Sequence, residues 1–205
     1  MKRTMIILYL AFIAASAEAV VKFHSASNAL NGKVVVEVWG KGRDLQEIDL
    51  KSGESSPLPW PVELKDQEII GSILLSDRLL VIAQWTAGGG KYPSIYQYDR
   101  KTKTWNSSKV SLDCISFDTV ELSKSKLSVE CEADPLKDKK PATVTAQLSG
   151  LSITGPVKYV WPLTESVSGE YSYKLDGDIL DWPTLRLFKN NQETKKIQAE
   201  SLATK

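Results

Sequence analysis

Few residues in this sequence have the type and spacing needed for chemistry. The 205-residue chain has one histidine, His24, so general-base schemes that use imidazole and metal sites that use several histidines are disfavoured. Ser123 and Lys126 have the spacing of a Ser/Lys nucleophile pair, but the segment reads as a hairpin turn with no helix to orient them. Asp176, Asp178 and Asp181 could offer oxygens to calcium, but they lack EF-hand spacing, which favours a solvated turn. No catalytic residue, metal or cofactor is predicted.

The segment from Trp85 to Tyr98 is the most distinctive candidate for binding. Three consecutive glycines beside aromatic residues favour a mobile loop on a rigid hairpin, which is a common way to present a recognition surface. The alternative is an ordinary long hairpin connection. A phosphate-binding P-loop is disfavoured, because neither its spacing nor the Ser/Thr after its lysine is present. The residues expected to bind a partner are Trp85, Gly88, Gly89, Gly90, Lys91, Tyr92, Tyr96 and Tyr98.

Six tryptophans raise the alternative of a glycan-binding surface, since exposed aromatic rings stack on sugars or anchor protein partners. Their regular spacing favours core packing instead. Three pairs are separated by 21, 20 and 21 residues: Trp39/Trp60, Trp85/Trp105 and Trp161/Trp182.

Residues 1–19 are predicted to be a secretory signal peptide. Lys2 and Arg3 precede an apolar run from Thr4 to Ala14, and Ala17-Glu18-Ala19 forms a small-x-small cleavage site before Val20. The apolar run is well short of the ~20 residues that cross a bilayer. We therefore expect a mature chain without an integral membrane segment, located in the bacterial periplasm or secreted.

The charge balance narrows the choice of partner. The chain has 26 Lys+Arg and 25 Asp+Glu, and removing Lys2, Arg3 and Glu18 leaves 24 of each. Nucleic acids and anionic membranes require clustered basic residues. A neutral mature chain therefore disfavours both nucleic acid and an anionic membrane as partners.

Cys114 and Cys131 are predicted to form a disulfide, since two cysteines in an oxidising compartment usually pair. The alternative is two reduced, buried cysteines. If residues 123–126 form a simple hairpin turn, Cys131 faces about Asp118. That position is four residues from Cys114, or roughly 13 Å along a strand, which is too far for a bond without a bend in the chain.

The remaining pattern predicts an all-β protein. Short aliphatic, β-branched or aromatic runs are bounded by Gly, Pro, Asn, Asp or Ser. The predicted strands are Val34–Val38, Leu45–Leu50, Ile69–Leu75, Leu79–Trp85, Ser94–Tyr98, Val120–Leu122, Leu127–Cys131, Thr143–Leu148 and Leu185–Phe188, with tight turns at Asn31-Gly32, Ser76-Asp77-Arg78, Ser123-Lys124-Ser125 and Asn190-Asn191. Residues 20–192 are expected to form a single domain, and 193–205 a polar C-terminal tail.

A weak internal repeat suggests how these hairpins are arranged. The turns near Asn31, Asp77 and Lys124 share flanking residues, and Trp39, Trp85 and Cys131 follow them at intervals of 46. Tyr96-x-Tyr98-Asp99-x5-Trp105 recurs as Tyr173-x-Leu175-Asp176-x5-Trp182, and Ile48-Asp49-x-Lys51-Ser52-Gly53 is a looser copy. Residues 98–105 also resemble the second half of a kelch blade. These periods favour an antiparallel meander of hairpins closed like a small propeller, with a two-sheet β-sandwich as the alternative.

The sequence thus favours an exported, non-catalytic protein that binds another protein. The expected role is to inhibit or neutralise an enzyme, such as a toxin or hydrolase, in the manner of an immunity protein or inhibitor. One alternative is a glycan-binding module. A further alternative is a small carboxylate-dependent hydrolase, because a pair of acidic catalytic residues leaves little local sequence trace.

Overall fold

A computed structural model describes residues 20–64, 67–85, 93–106, 110–111, 117–123, 125–131, 142–148, 157–160, 162–178 and 181–203. Within these ranges the chain is all β, with antiparallel strand pairing and two short 3₁₀ turns at Val62–Leu64 and Ala199–Ser201. No helix in the described part of the chain is long and apolar enough to cross a membrane. The predicted signal peptide lies outside the described residues.

The strands are numbered in chain order within the described ranges. They are β1 (Lys22–Ala26), β2 (Lys33–Trp39), β3 (Arg43–Asp49), β4 (Ser55–Leu58), β5 (Gln67–Leu74), β6 (Arg78–Trp85), β7 (Ser94–Asp99), β8 (Thr104–Trp105), β9 (Val110–Ser111), β10 (Phe117–Ser123), β11 (Lys126–Cys131), β12 (Ala142–Gln147), β13 (Val157–Val160), β14 (Glu165–Ser168), β15 (Tyr171–Asp178), β16 (Asp181–Lys189) and β17 (Gln192–Gln198). All nine predicted strands are confirmed, as β2, β3, β5, β6, β7, β10, β11, β12 and β16.

The strands form three antiparallel sheets. The largest has the order β14-β15-β16-β1-β2-β3-β4, and β17 pairs with β16 alongside β1. The second has the order β5-β6-β7-β8, with β9 on β7, and the third has the order β12-β11-β10-β13. In the third sheet β13 pairs with β10, the first strand of the β10–β11 hairpin, so this sheet is not a simple meander.

The sheets pack face to face in a sandwich-like arrangement. One core cluster joins side chains of β1–β3 to those of β15–β17, a second joins β2–β3 to β5–β7, and a third joins β5–β7 to β10–β12. Along β6, Leu79, Val81 and Ala83 belong to one cluster, while Leu80 and Ile82 belong to another. This burial on both faces explains the unbroken apolar run of that strand. The all-β prediction is confirmed, and the propeller closure is not.

The predicted turns fix the hairpin register. Asn31 and Gly32 have φ of 51° and 70°, and Leu30 and Lys33 exchange both backbone hydrogen bonds around them, as in a type I′ turn. Asn190 and Asn191 share this left-handed conformation. The turns at Ser76–Asp77 and between Ser123 and Lys126 are confirmed as well.

The 46-residue repeat is also structural. The repeated positions are the last residues of three strands: Trp39 ends β2, Trp85 ends β6 and Cys131 ends β11. Each of these strands is the second strand of a hairpin, β1–β2, β5–β6 and β10–β11. Asp49 and Asp99 also match, because each carboxylate accepts backbone N–H groups two and three residues later. Asp176 does not match them, because it lies within β15 opposite Thr184.

The segment predicted to be a polar C-terminal tail instead supplies most of β17. Its side chains are exposed except Ile197, and Ile197 and Ala199 complete the core of the largest sheet. The polarity therefore reflects an outer strand with one face in water.

The predicted disulfide lies outside the described residues, since these do not include Cys114 or the side chain of Cys131. The backbone of Cys131 pairs with Phe117, and the register shifts between Phe117 and Thr119. This irregularity brings the pairing one residue closer to Cys114 than a regular hairpin does. The disulfide remains a prediction.

Asn28 joins the first two sheets through a buried side chain. Its Nδ2 donates to the carbonyl of Leu74 at 3.0 Å, and the N–H of Leu74 donates to its Oδ1 at 2.8 Å. We expect Asn28→Ala to lower the free energy of unfolding by about 2 kcal/mol, because both backbone groups of Leu74 lose their partner. Tyr173→Phe, which removes one buried hydrogen bond to Ser27, is expected to cost about half as much. Urea denaturation measures both, and equal losses would contradict the role of Asn28.

Candidate functional site

The predicted recognition loop leaves the second sheet at Trp85. The backbone of Trp85 pairs with Gln67 at the end of β6, and β7 resumes at Ser94. Residues 86–92, which include Gly88, Gly89, Gly90, Lys91 and Tyr92, lie outside the described residues, as does the side chain of Trp85. The strands fix where the loop starts and ends, and its binding role remains a prediction.

The two tyrosines predicted to extend this surface lie in the core instead. Tyr96 is 2% exposed, and its hydroxyl accepts a hydrogen bond from Nε2 of Gln67 at 2.7 Å. Tyr98 packs against Trp105, with ring centroids 5.2 Å apart. Because alternate residues of a strand share a face, both rings lie on the side of β7 that faces β2 and β3. They support the hairpin from inside.

A cluster that the sequence did not single out lies beside the start of the loop. We call it the Trp39 cluster, and it consists of His24, Glu37, Trp39, Arg43 and Glu68. Trp39 ends β2 and pairs with Arg43 across the turn to β3. Its ring stacks on His24 at 3.8 Å, with 16° between the planes, and the guanidinium of Arg43 lies 4.4 Å from the ring centroid.

Arg43 connects this cluster to the loop hairpin. Its Nη1 donates to the carbonyl of Gln67, the residue that pairs with Trp85. Cation–π contact and this hydrogen bond together hold the guanidinium in place. The half-buried Trp39 and Arg43 therefore lie next to the strand end from which the glycine-rich segment departs.

Glu37 lies beneath Trp39 and is fully buried. Its Oε1 accepts a hydrogen bond from Nε1 of Trp39 at 2.6 Å, and its Oε2 accepts one from Ser25 at 3.2 Å. Burial raises the pKa of Glu37 to about 8, against the lowering effects of the Trp39 hydrogen bond and of Arg43. At neutral pH the group is mainly a neutral acid that fixes the orientation of the indole.

His24 is also held by a carboxylate. Its Nε2 lies 2.8 Å from Oε1 of Glu68, and burial lowers its pKa although Glu68 opposes that effect. A neutral imidazole with its proton on Nε2 fits this geometry. Its Nδ1 is buried with no hydrogen-bond partner among the described residues. Stacking on the indole and the contact with Glu68 hold the imidazole against Trp39.

The same burial bears on the two alternative functions. Glu37 and Glu68 are neighbouring carboxyl groups, but a fully buried Glu37 cannot contact a glycoside or water, as a hydrolase pair must. For glycan binding, Trp182 is 3% exposed, and Trp39 and Trp105 are half-buried. The indole N–H of Trp105 donates to the carbonyl of Pro59 at 2.7 Å. Trp105 and Trp182 are therefore part of the packing, as the tryptophan spacing predicts.

Two signals in the sequence point towards the Trp39 cluster. Trp39 occupies the position equivalent to Trp85 in the 46-residue repeat, and Glu37 interrupts an aliphatic strand two residues before it. The described residues contain no group of three or more His, Cys, Asp or Glu side chains arranged to hold a metal ion. No protein-family model matches the chain, and no curated protein matches it either.

Proposed function

We propose that the chain is an exported, non-catalytic protein that binds another protein, and that binding inhibits or neutralises an enzyme of the bacterial periplasm. The observation that carries the proposal is the position of the Trp39 cluster beside the strand end where the glycine-rich segment begins. Tryptophan, tyrosine and arginine are the residue types that most often dominate binding energy in protein interfaces. Trp39, Arg43 and Tyr92 supply one of each.

Rigid anchors strengthen such an interface because they lose little conformational entropy on binding. Trp39 is fixed by its hydrogen bond to Glu37, by stacking on His24 and by Arg43. The side chain of Glu68 is 26% exposed and lies 2.8 Å from His24, which adds a carboxylate at the edge of the cluster. This combination gives a central aromatic anchor with a charged rim, beside the strand end at Trp85 where the glycine-rich segment begins.

Export rests on the pattern of residues 1–19, and it leads to a prediction. We expect a mature N-terminus at Val20 when the full chain is expressed in a Gram-negative host, with the protein in the periplasmic fraction. Val20 is 71% exposed, and the core begins at Phe23, so cleavage there leaves the fold intact. N-terminal sequencing after fractionation tests this. An uncleaved chain that stays in the cytoplasm would contradict export.

The binding function is tested by capture followed by inhibition. The tagged mature protein is incubated with periplasmic extract of the source organism, and each enzyme that co-purifies is then assayed alone. We expect one captured enzyme to lose activity as the pure protein is titrated to one equivalent. Capture of glycans in place of an enzyme would support the glycan-binding alternative and contradict the proposal. Full activity of every captured enzyme at excess protein would also contradict it.

A further inference from the structure

A polar cleft of about 560 Å³ lies between the first and second sheets. It is located at the start of β2, at the end of the strand opposite Trp39. Its volume is within the range typical of small-molecule sites. The charged residues that line it are Lys33, Glu47, Asp77, Arg100, Lys101 and Lys103.

The lining is positively charged. Four cations face two carboxylates, and both carboxylates already have partners. Glu47 lies 2.5 Å from the amine of Lys33 and 2.5 Å from the guanidinium of Arg100, through different oxygens. Asp77 lies 2.7 Å from Arg78. Glu47 therefore fixes two of the cations at the cleft, and the lining keeps a net charge of +2.

The other two cations are available to a ligand. Lys101 and Lys103 are exposed, and neither forms an ion pair with another residue in the described part of the chain. Both lysines lie on the same turn as Arg100. The carboxylate of Asp99 stabilises this turn by accepting hydrogen bonds from the N–H groups of Lys101 and Thr102. The turn thus holds a row of basic side chains at the mouth of the cleft.

The backbone of Lys103 gives an independent indication of function. Its φ is +58°, in the left-handed region that favours glycine. The equivalent turn of the first sheet, which begins at Asp49, has Gly53 at this position with φ of +69°. The same backbone conformation is thus built with glycine in one unit and lysine in the other. Strain of this kind at a ligand-sized cleft points to a role for the side chain.

We propose that this cleft binds a small molecule that carries two or more phosphate or carboxylate groups. Arg100 and Lys33 contact one anionic group at the base of the cleft, and Lys101 and Lys103 contact another at its mouth. Leu58 and Pro57, which also line the cleft, supply apolar contacts to the rest of the ligand. The site is distinct from the proposed protein-binding surface, so either proposal can fail without the other.

The test uses pyrophosphate and citrate as probes, with glucose as the uncharged control, by isothermal titration calorimetry on the mature protein. We expect saturable binding of at least one anion, weaker binding as salt is raised, and no binding of glucose. Pyrophosphate and citrate separate phosphate from carboxylate recognition. Absence of saturable binding of both anions below about 10 mM at low salt would overturn the proposal.

Variants decide whether the cleft is the site. We expect the double variant Lys101→Gln, Lys103→Gln to weaken anion binding at least about tenfold. Lys196→Gln, on β17 and with a side chain 57% exposed, should leave it unchanged. Equal loss in both variants would indicate general charge attraction and would overturn the assignment.

Lys103→Gly separates the contribution of this lysine to anion binding from its cost to the stability of the fold. Glycine relieves the left-handed strain, so we expect Tm to rise by roughly 2 °C, while anion affinity falls about threefold through the lost charge. A rise in Tm with unchanged affinity would overturn the role of Lys103 in binding.

Discussion

Glu37→Gln is expected to raise the free energy of unfolding by about 4 kcal/mol at pH 8 and to leave it nearly unchanged at pH 4. In the wild type, burial raises the pKa of Glu37 from 4.5 to about 8. The folded protein therefore retains a proton that the unfolded chain releases above about pH 4.5. Because the folded state binds more protons, wild-type stability falls as pH rises through this window.

His24 sets the pH range in which this effect is clearest. Burial lowers its pKa from 6.5, so stability from its neutral form is present above pH 6.5 and is lost as pH falls. Between pH 4.5 and 6.5 the two groups act in opposite directions. From pH 6.5 to 8 the Glu37 effect stands alone, and wild-type stability should fall by about 2 kcal/mol over that range.

Urea denaturation at several pH values measures both effects. Glutamine keeps the shape of the side chain and an oxygen that can accept from Trp39, so the loss of ionisation is the main change. Glu54→Gln, at an exposed position, is the matched control and should not alter the pH dependence. If the unfolding free energies of Glu37→Gln and Glu54→Gln depended on pH in the same way, Glu37 would not be a buried neutral acid beneath Trp39.

The second large effect concerns the partner enzyme. Replacing Lys91 and Tyr92 by serine, or Arg43 by alanine, is expected to weaken binding at least about 100-fold, as truncation of central interface anchors typically does. The loop change removes an aromatic and a cationic contact from the glycine-rich segment. Arg43→Ala removes the cation beside Trp39 and the hydrogen bond that links it to Gln67.

The matched control for this experiment is Lys101→Gln, Lys103→Gln in the polar cleft between the first and second sheets. It changes two exposed side chains at the opposite end of the hairpins and should leave enzyme binding unchanged. Each variant is compared at equal folded fraction, judged from its urea transition. If the Arg43→Ala variant and the cleft variant bound the enzyme with equal affinity, the Trp39 cluster would not be part of the interface.

The sequence predicted the fold best where strands are buried on both faces. The run from Leu79 to Ala83 is continuous and aliphatic because two core clusters cover it. The Asn31-Gly32 turn was also predictable, because few residue pairs adopt its left-handed conformation. Polar outer strands show a weaker hydrophobic pattern in the sequence. β17 has one buried side chain, Ile197, so its pairing with β16 left little trace in the sequence.

The candidate site was harder to predict because it depends on contacts between distant strands. In the sequence His24 stood out only as the single histidine. Because β1 pairs with β2 and β16, its imidazole lies on Trp39 and next to Glu68 of β5. Tyr96 and Tyr98 were predicted to be binding residues, but both are buried. Their spacing marks one face of β7, but it does not reveal that β2 and β3 cover that face.

The most direct test of the central claim is the activity of the captured enzyme titrated with the mature protein and with its Lys91→Ser, Tyr92→Ser variant. We expect the wild-type protein to abolish activity near one equivalent. The variant, equally stable in urea, should require at least about 100-fold more protein for the same effect. If both proteins inhibit at the same concentration, or if neither does, the proposed role of this surface is contradicted.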